Sequence, residues 1–335
     1  MRIESAVRPV FARHESFHPR YGWLKKAVDA AAADSRVFLH DDAVVTLGVG
    51  KNMVRAIKHW GLATGVLTAV PNPARPRMPL IAPTNFGVGL LGDDGFDPYC
   101  EDLSTVWALH WRVLSPECLA PVWWVALHEF PGVAFSQREL EDFVVERVSA
   151  VKEWEDPHAG SVRKDVACFL RMYTAAGAGQ RATKDDVIDC PFRPLGLVRS
   201  AGSDFRFDLG RKPGLAPKIV LWACLDYMSR QDVSAKSVTV SRLASEPGAP
   251  GKAFRLTEEA IVALLEEAVA PTGKGAGPSV SHVAGIAQLR WSGSSEKAAS
   301  SALWSHYARR RRPAGLPMSG TAADAPYAAV LEATA

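Results

Sequence analysis

Residues 41–67 read DDAVVTLGVGKNMVRAIKHWGLATGVL, and this stretch constrains the chain more than any other. Gly48 and Gly50 flank a single valine between two apolar-periodic runs, and glycine supplies the backbone freedom a tight turn requires. Before the turn, Asp42 to Leu47 is expected as a short helix. Asp41 and Asp42 stand at its start, where free N–H groups and the dipole favour carboxylates. After it, Lys51 to about Leu62 is expected as a second helix, because Met53, Val54, Ile57 and Trp60 recur at helical spacing. Lys51, Asn52, Arg55, Lys58 and His59 fall largely outside that stripe. The pattern is a helix-turn-helix that packs one face and offers the other to phosphates and base edges. A solvated helix with ordinary surface lysines has the same local pattern, so the charge around it decides between the two.

Residues 1–80 hold twelve Lys and Arg against six Asp and Glu. Residues 81–289 reverse the balance, with 21 against 27, and residues 290–335 return to six against three. A basic excess beside a helix-turn-helix is the electrostatic footprint of a DNA binder. The acidic middle would repel a phosphate backbone and suits a metal ion or a protein partner better.

The flanks extend this reading. The opening FARHESFHPRYGW sets Arg13, His14, Glu15, His18 and Arg20 among aromatic residues, a mixture that can contact phosphates and stack on bases. His14 and His18 are four apart, which would suit a divalent metal on a helix, but Pro19 argues against a helix there. A first helix is expected over Tyr21 to Ala33, with Lys25 and Lys26 outward. Gly65 to Val70 and Leu80 to Leu91 read as strands of a hairpin whose loop carries Arg75 and Arg77. Three helices followed by such a hairpin make a winged helix.

The fold class expected is mainly α with small β wings. The expected divisions are a winged helix-turn-helix domain over 1–95, an acidic helical middle domain over 96–235, a small α+β domain over 236–312, and a mobile tail over 313–335. Trp107, Trp111, Trp123 and Trp124 are read as core. Ser136-Gln137-Arg138-Glu139 is a capping box that opens a helix, and Ser241 to Gly251 is read as a loop. The five cysteines form no C-x-x-C pair, which argues against a zinc ribbon or a disulfide framework. Gly273-Lys274-Gly275 lacks the spacing of a P-loop. No apolar run approaches the ~20 residues of a membrane span, and no signal-peptide pattern is visible, so a cytoplasmic protein is expected.

Two places carry candidate chemistry. One is the helix from His158 to Tyr173, where Lys164 and Asp165 lie off a clean apolar stripe. The other is Lys184 to Pro191, where Asp185, Asp186 and Asp189 come together. Carboxylate clusters hold Mg2+ or Mn2+, which activates water and stabilises a leaving oxygen in phosphodiester cleavage. A solvated turn with capping aspartates gives the same pattern.

HESFHPRYGWLKK, LGVGKNMVRAIKHW, KDVACFLRMY, DCPFRPLGLV with KIVLWACLDYM, and GKAFRLTEEAIVALLEEA together resemble one bacterial family over about residues 11 to 310. That family is SspB, the DNA-nicking component of the single-stranded phosphorothioate modification system. The resemblance implies double-stranded DNA as substrate and a role in phage defence. It implies as partners a cysteine desulfurase, an ATPase and an ATP-pyrophosphatase-like sulfur-transfer enzyme. The resemblance carries over no residue roles; the local pattern alone is what puts Lys51, Asn52, Arg55 and Lys58 in the major groove, with Arg13, Lys25, Lys26, Arg75 and Arg77 on phosphates. Glu15, Asp165, Asp185, Asp186 and Asp189 hold the ion, and Lys164 or His14 steadies the scissile phosphate. A non-enzymatic DNA-binding or loading factor for the same machinery is the alternative.

Overall fold

The computed structural model describes residues 1–174, 190–269 and 277–308. Asp185, Asp186 and Asp189, the Gly273-Lys274-Gly275 stretch, the arginine run at 309–312 and the 313–335 tail lie outside them. The described residues are mainly helical, with three small antiparallel sheets. A short helix, α1 (Ile3–Ala6), leads into an irregular arm over residues 7–22. Then come α2 (Trp23–Ala33), α3 (Ala43–Leu47) and α4 (Lys51–Ala63). Gly48 closes α3 at φ 63°, a left-handed conformation that glycine adopts without a steric penalty. Asp42 stands at the start of α3 but makes no side-chain capping bond, so the capping role expected of it is absent.

Two sets of side chains seat α4. Val54 packs with Ala43 and Leu47 in a small cluster of its own, which fixes the turn angle. Ile57 and Trp60 are fully buried in the main core, each removing a large apolar surface from water at roughly 1.5–3 kcal/mol.

A hairpin follows, β1 (Leu67–Val70) against β2 (Leu80–Pro83), with Leu67 opposite Pro83 and Val70 opposite Leu80. The second strand is shorter than its apolar run, and the expectation that it reaches Leu91 is corrected here. The Thr84 hydroxyl accepts from the Gly87 amide and starts a helix, α5 (Asn85–Leu91), with Phe86 and Leu90 fully buried. A Cβ at Gly87 would stand 2.2 Å from the Val66 carbonyl oxygen, so glycine lets α5 lie directly on the start of the hairpin.

The middle of the chain contributes α6 (Leu103–Val113), α7 (Pro121–Trp124), α8 (Gln137–Ser149) and α9 (Ala159–Tyr173). All four tryptophans read as core are buried. The Ser136–Glu139 capping box at α8 is formed on both sides. A three-stranded sheet of order β3-β5-β4 combines Ala134–Phe135, Val198–Ala201 and Asp204–Phe207 as β3, β4 and β5. Next come α10 (Pro217–Gln231) and β6 (Ser237–Thr239). Residues 241–251, expected as loop, instead carry most of one helix and the start of another, α11 (Val240–Ser245) and α12 (Pro250–Phe254). The Thr239 hydroxyl caps the first, and Pro250 takes the first position of the second, where its missing N–H is not needed. The described chain ends through α13 (Glu258–Val269), the hairpin β7 (Ser279–Val283) and β8 (Ile286–Arg290), and α14 (Ser295–Tyr307).

A single cluster of buried residues runs from Ile3 to Tyr307 and draws on all three expected divisions of the chain. The cysteines are free thiols, four of them buried. No helix among the described residues is long and apolar enough to cross a membrane.

Candidate nucleic-acid interface

The outer face of α4 follows from its two packed faces. With Val54, Ala56, Ile57 and Trp60 turned inward, Lys51, Asn52 and Arg55 are left exposed and Lys58 half-buried. The helix begins at Gly50 without a side-chain cap, so the amides of its first turn and the positive end of its dipole lie beside Lys51 and Asn52. Burial lowers the Lys58 pKa. His59 departs from the outward placement its sequence position implied. It is only 9% exposed, and burial, then the charges of His14 and Arg13, push its pKa down to about 3. It is therefore a neutral core ring and offers no charge to a phosphate.

The loop between β1 and β2 is built around Asn72. Its side-chain carbonyl accepts from the amides of Ala74 and Arg75, and its side-chain amide donates to the Met78 carbonyl at 2.8 Å. This Asx-type turn orders a proline-rich segment that has no ladder of its own. Arg75 and Arg77 stand exposed on it. Lys51, Arg75 and Arg77 make no ion pair among the described residues, so binding a phosphate would break none.

The α2 lysines differ from expectation. Lys25 is turned inward, 8% exposed, and donates to both oxygens of Asp29 at 2.6 and 2.7 Å and to Asp93 at 2.6 Å. Burial alone would lower its pKa, but the hydrogen bonds and charges of Asp29 and Asp93 outweigh it and the net shift is upward. A lysine committed to two carboxylates is a clamp between α2 and the segment after α5. Lys26 is exposed, and its ammonium donates to the Leu47 carbonyl at the C-terminus of α3.

The arm brings several candidate residues together. His14 is buried, and its ring N–H at Nε2 donates to Asp165 Oδ1 at 2.8 Å. Both Asp165 oxygens also accept from the Ala12 amide, at 3.0 and 3.1 Å. The Arg55 guanidinium reaches Glu15 at 3.2 Å, and the Trp60 indole donates to the Phe17 carbonyl at 2.8 Å. Arg171, on the exposed side of α9, donates to the Ser16 carbonyl at 2.8 Å. The arm thus bridges α4 and α9. It is not helical, and His14 and His18 do not form the one-face pair that a metal on a helix would need.

This geometry bears on the candidate chemistry. The Asp165 side chain is 3% exposed and both oxygens are engaged, so it is not an open metal ligand or general base as it stands. Lys164, its neighbour on α9, is exposed to solvent. Glu15 is half-buried beside Arg55, and Arg13 is exposed. Among the described residues, no group of three or more His, Cys, Asp or Glu side chains could hold a metal ion. The sequence reading missed Arg171. It lies seven residues after Lys164, two turns along the same exposed face, and that period was the available signal.

A family model described as "Protein of unknown function (DUF4007)" matches residues 11–307. Two solved structures resemble the chain across nearly its whole length. One, described as "SspB crystal structure", is 37% identical, with a TM-score of 0.86 over 95% of this chain and 93% of that one. The other, described as "Magnesium ion-bound SspB crystal structure", is also 37% identical at a TM-score of 0.86, over 93% and 92%. No curated protein matches.

Proposed function

The chain belongs to the SspB family, and from that membership and the cationic face of α4 we propose that it is the DNA-binding, strand-nicking component of an Ssp phosphorothioate-modification system. The docking unit is a winged helix within residues 1–95. In it α4 enters the major groove, with Lys51, Asn52 and Arg55 offered to phosphates and base edges, while Lys58, Arg13 and the loop arginines Arg75 and Arg77 follow the backbone. Lys26 is near enough to the α3 terminus to serve either the fold or a phosphate. Lys25 drops out of the phosphate-contacting set. The partners would be the desulfurase, ATPase and sulfur-transfer components of the same machinery.

The observation that carries this reading is the set of exposed cations on α4 and the hairpin loop, Lys51, Arg75 and Arg77, whose side chains make no ion pair among the described residues. Nicking rests on the family and on the magnesium held by one solved relative. A bound magnesium ion would supply an activated water and charge neutralisation at the leaving oxygen. The described residues present no ready cage for it. The acidic run Asp185, Asp186 and Asp189, outside the described residues, is a candidate to hold it. Magnesium keeps several waters and needs only one or two carboxylates, so such a short run suffices.

The engaged carboxylate of Asp165 favours a second reading, a non-enzymatic loading factor for the same machinery. One experiment separates the two. Purified protein with supercoiled plasmid should give open circles in Mg2+ and none in EDTA, and Asp185→Ala should bind DNA but no longer nick. Binding with no conversion in any metal supports the loading factor. Conversion that persists in EDTA removes magnesium from the account.

A further inference from the structure

The arm over residues 11–18 is shaped against local preference. Ala12, Glu15 and Ser16 hold φ of 56°, 50° and 66°, three non-glycine residues in left-handed backbone within five positions. Such residues persist where the surroundings over-determine them. Here the surroundings are two helices. On the α9 side, Asp165 takes the Ala12 amide and the His14 ring, and Arg171 takes the Ser16 carbonyl. On the α4 side, Trp60 donates to the Phe17 carbonyl, the His14 ring stacks on Trp60 at 5.7 Å, and Glu15 meets Arg55. Trp123 packs against His14 in a T-shaped arrangement at 5.6 Å.

His14 and Asp165 are not arranged for chemistry in this conformation. His14 Nδ1 is buried without a hydrogen-bond partner among the described residues, and tryptophan and histidine rings pack around the imidazole. Burial keeps a reacting group from that nitrogen. The pair is instead placed to hold the arm, and the arm touches α4 at Trp60 and Arg55, the second of which lies on the docking face.

We propose that Asp165 is a positioning residue for DNA docking: it fixes the arm, and the arm in turn fixes the Arg55 guanidinium on the exposed face of α4. The chain of contacts runs from the Asp165 carboxylate to Ala12 and His14, through the left-handed Glu15, to Arg55. Asp165 touches no nucleic acid on this view. The proposal rests on the docking reading above.

The test is a pair of double-mutant cycles on duplex affinity, measured by fluorescence anisotropy with a short labelled duplex and the full chain. Asp165→Ala is combined with Arg55→Ala, and separately with Arg75→Ala on the hairpin loop. Asp165→Ala should weaken binding, and Arg55→Ala should then cost less in that background than in the parent, by about threefold or more. The Asp165–Arg75 cycle should be additive, because the loop has no contact with the arm among those described. General loss of structure would perturb both cycles alike. If Asp165→Ala does not fold, Arg171→Ala takes its place. Arg171 is exposed, and its removal frees the arm at Ser16, so coupling to Arg55 and not to Arg75 is again expected. If Arg55→Ala and Arg75→Ala each weaken binding but both cycles are additive, the positioning role is overturned and docking stands. If neither single variant changes affinity, the docking reading itself fails.

Discussion

The Lys25 ammonium and the Asp93 carboxylate meet at 2.6 Å although 68 residues separate them, and Asp29 completes the cluster one helical turn along α2. This relationship removes Lys25 from the proposed DNA-contacting surface and gives it a fold-holding task. Asp93 is itself largely exposed, and its hydrogen bond and charge pairing with Lys25 lower its pKa. Its share of stability is therefore present above the ordinary aspartate pKa and is lost as pH falls through the depressed folded value. Lys25→Met keeps the apolar stem and should cost about 1 kcal/mol in urea unfolding. It should leave the salt dependence of duplex binding unchanged. A slope reduced by one contact would put Lys25 back on the DNA.

The hairpin loop gives a converse expectation. Arg75 and Arg77 are exposed and unpaired among the described residues, so replacing either with alanine should leave the melting temperature nearly unchanged. Each should lower the slope of log affinity against log salt by about 0.9. Asn72→Ala should act on the same property indirectly, because it removes three hydrogen bonds that shape the loop. It should weaken binding without removing a charge. Parental affinity in Asn72→Ala would show that loop shape is irrelevant.

His59, His110 and His128, all buried, contribute to the acid limb of stability. Burial is the main cause in each case, pushing His59 to about 3 and His110 to about 4 and taking His128 well below the usual histidine value. The unfolded chain takes up these protons near pH 6.5 and the folded chain does not, so stability falls as pH drops below about 6.5. The loss continues until the folded-state values are reached. Each histidine contributes up to about 1.4 kcal/mol per pH unit in that window. His59→Gln should make the limb shallower by one proton in urea titrations between pH 6 and pH 4. An unchanged limb would mean that His59 is protonated in the folded protein.

These cases also mark what was legible in the residues. The inward stripe of α4, the turn at Gly48 and the Ser136–Glu139 capping box depend on neighbours within a few positions, and local pattern carries them. The run from Leu80 to Leu91 does not resolve by periodicity. An apolar stretch fits a strand or a buried helix equally, and a threonine hydroxyl decided where β2 stops and α5 begins. Lys25 was misplaced because its second carboxylate arrives from a distant loop. The His14–Asp165 contact was equally out of reach: both residues were singled out, but as chemistry, and only the folded chain shows them holding each other. The Asp185–Asp189 run remains outside the described residues.

The proposed docking requires α4 to meet a duplex through Lys51 and Arg55. The most direct measurement is the salt dependence of duplex affinity for the parent and for Lys51→Ala/Arg55→Ala, between about 50 and 200 mM salt, with folding checked by circular dichroism. The double variant should bind more weakly, with a slope lower by about 1.8, two phosphate contacts' worth. Equal affinity and an equal slope in the folded double variant would contradict the proposed docking.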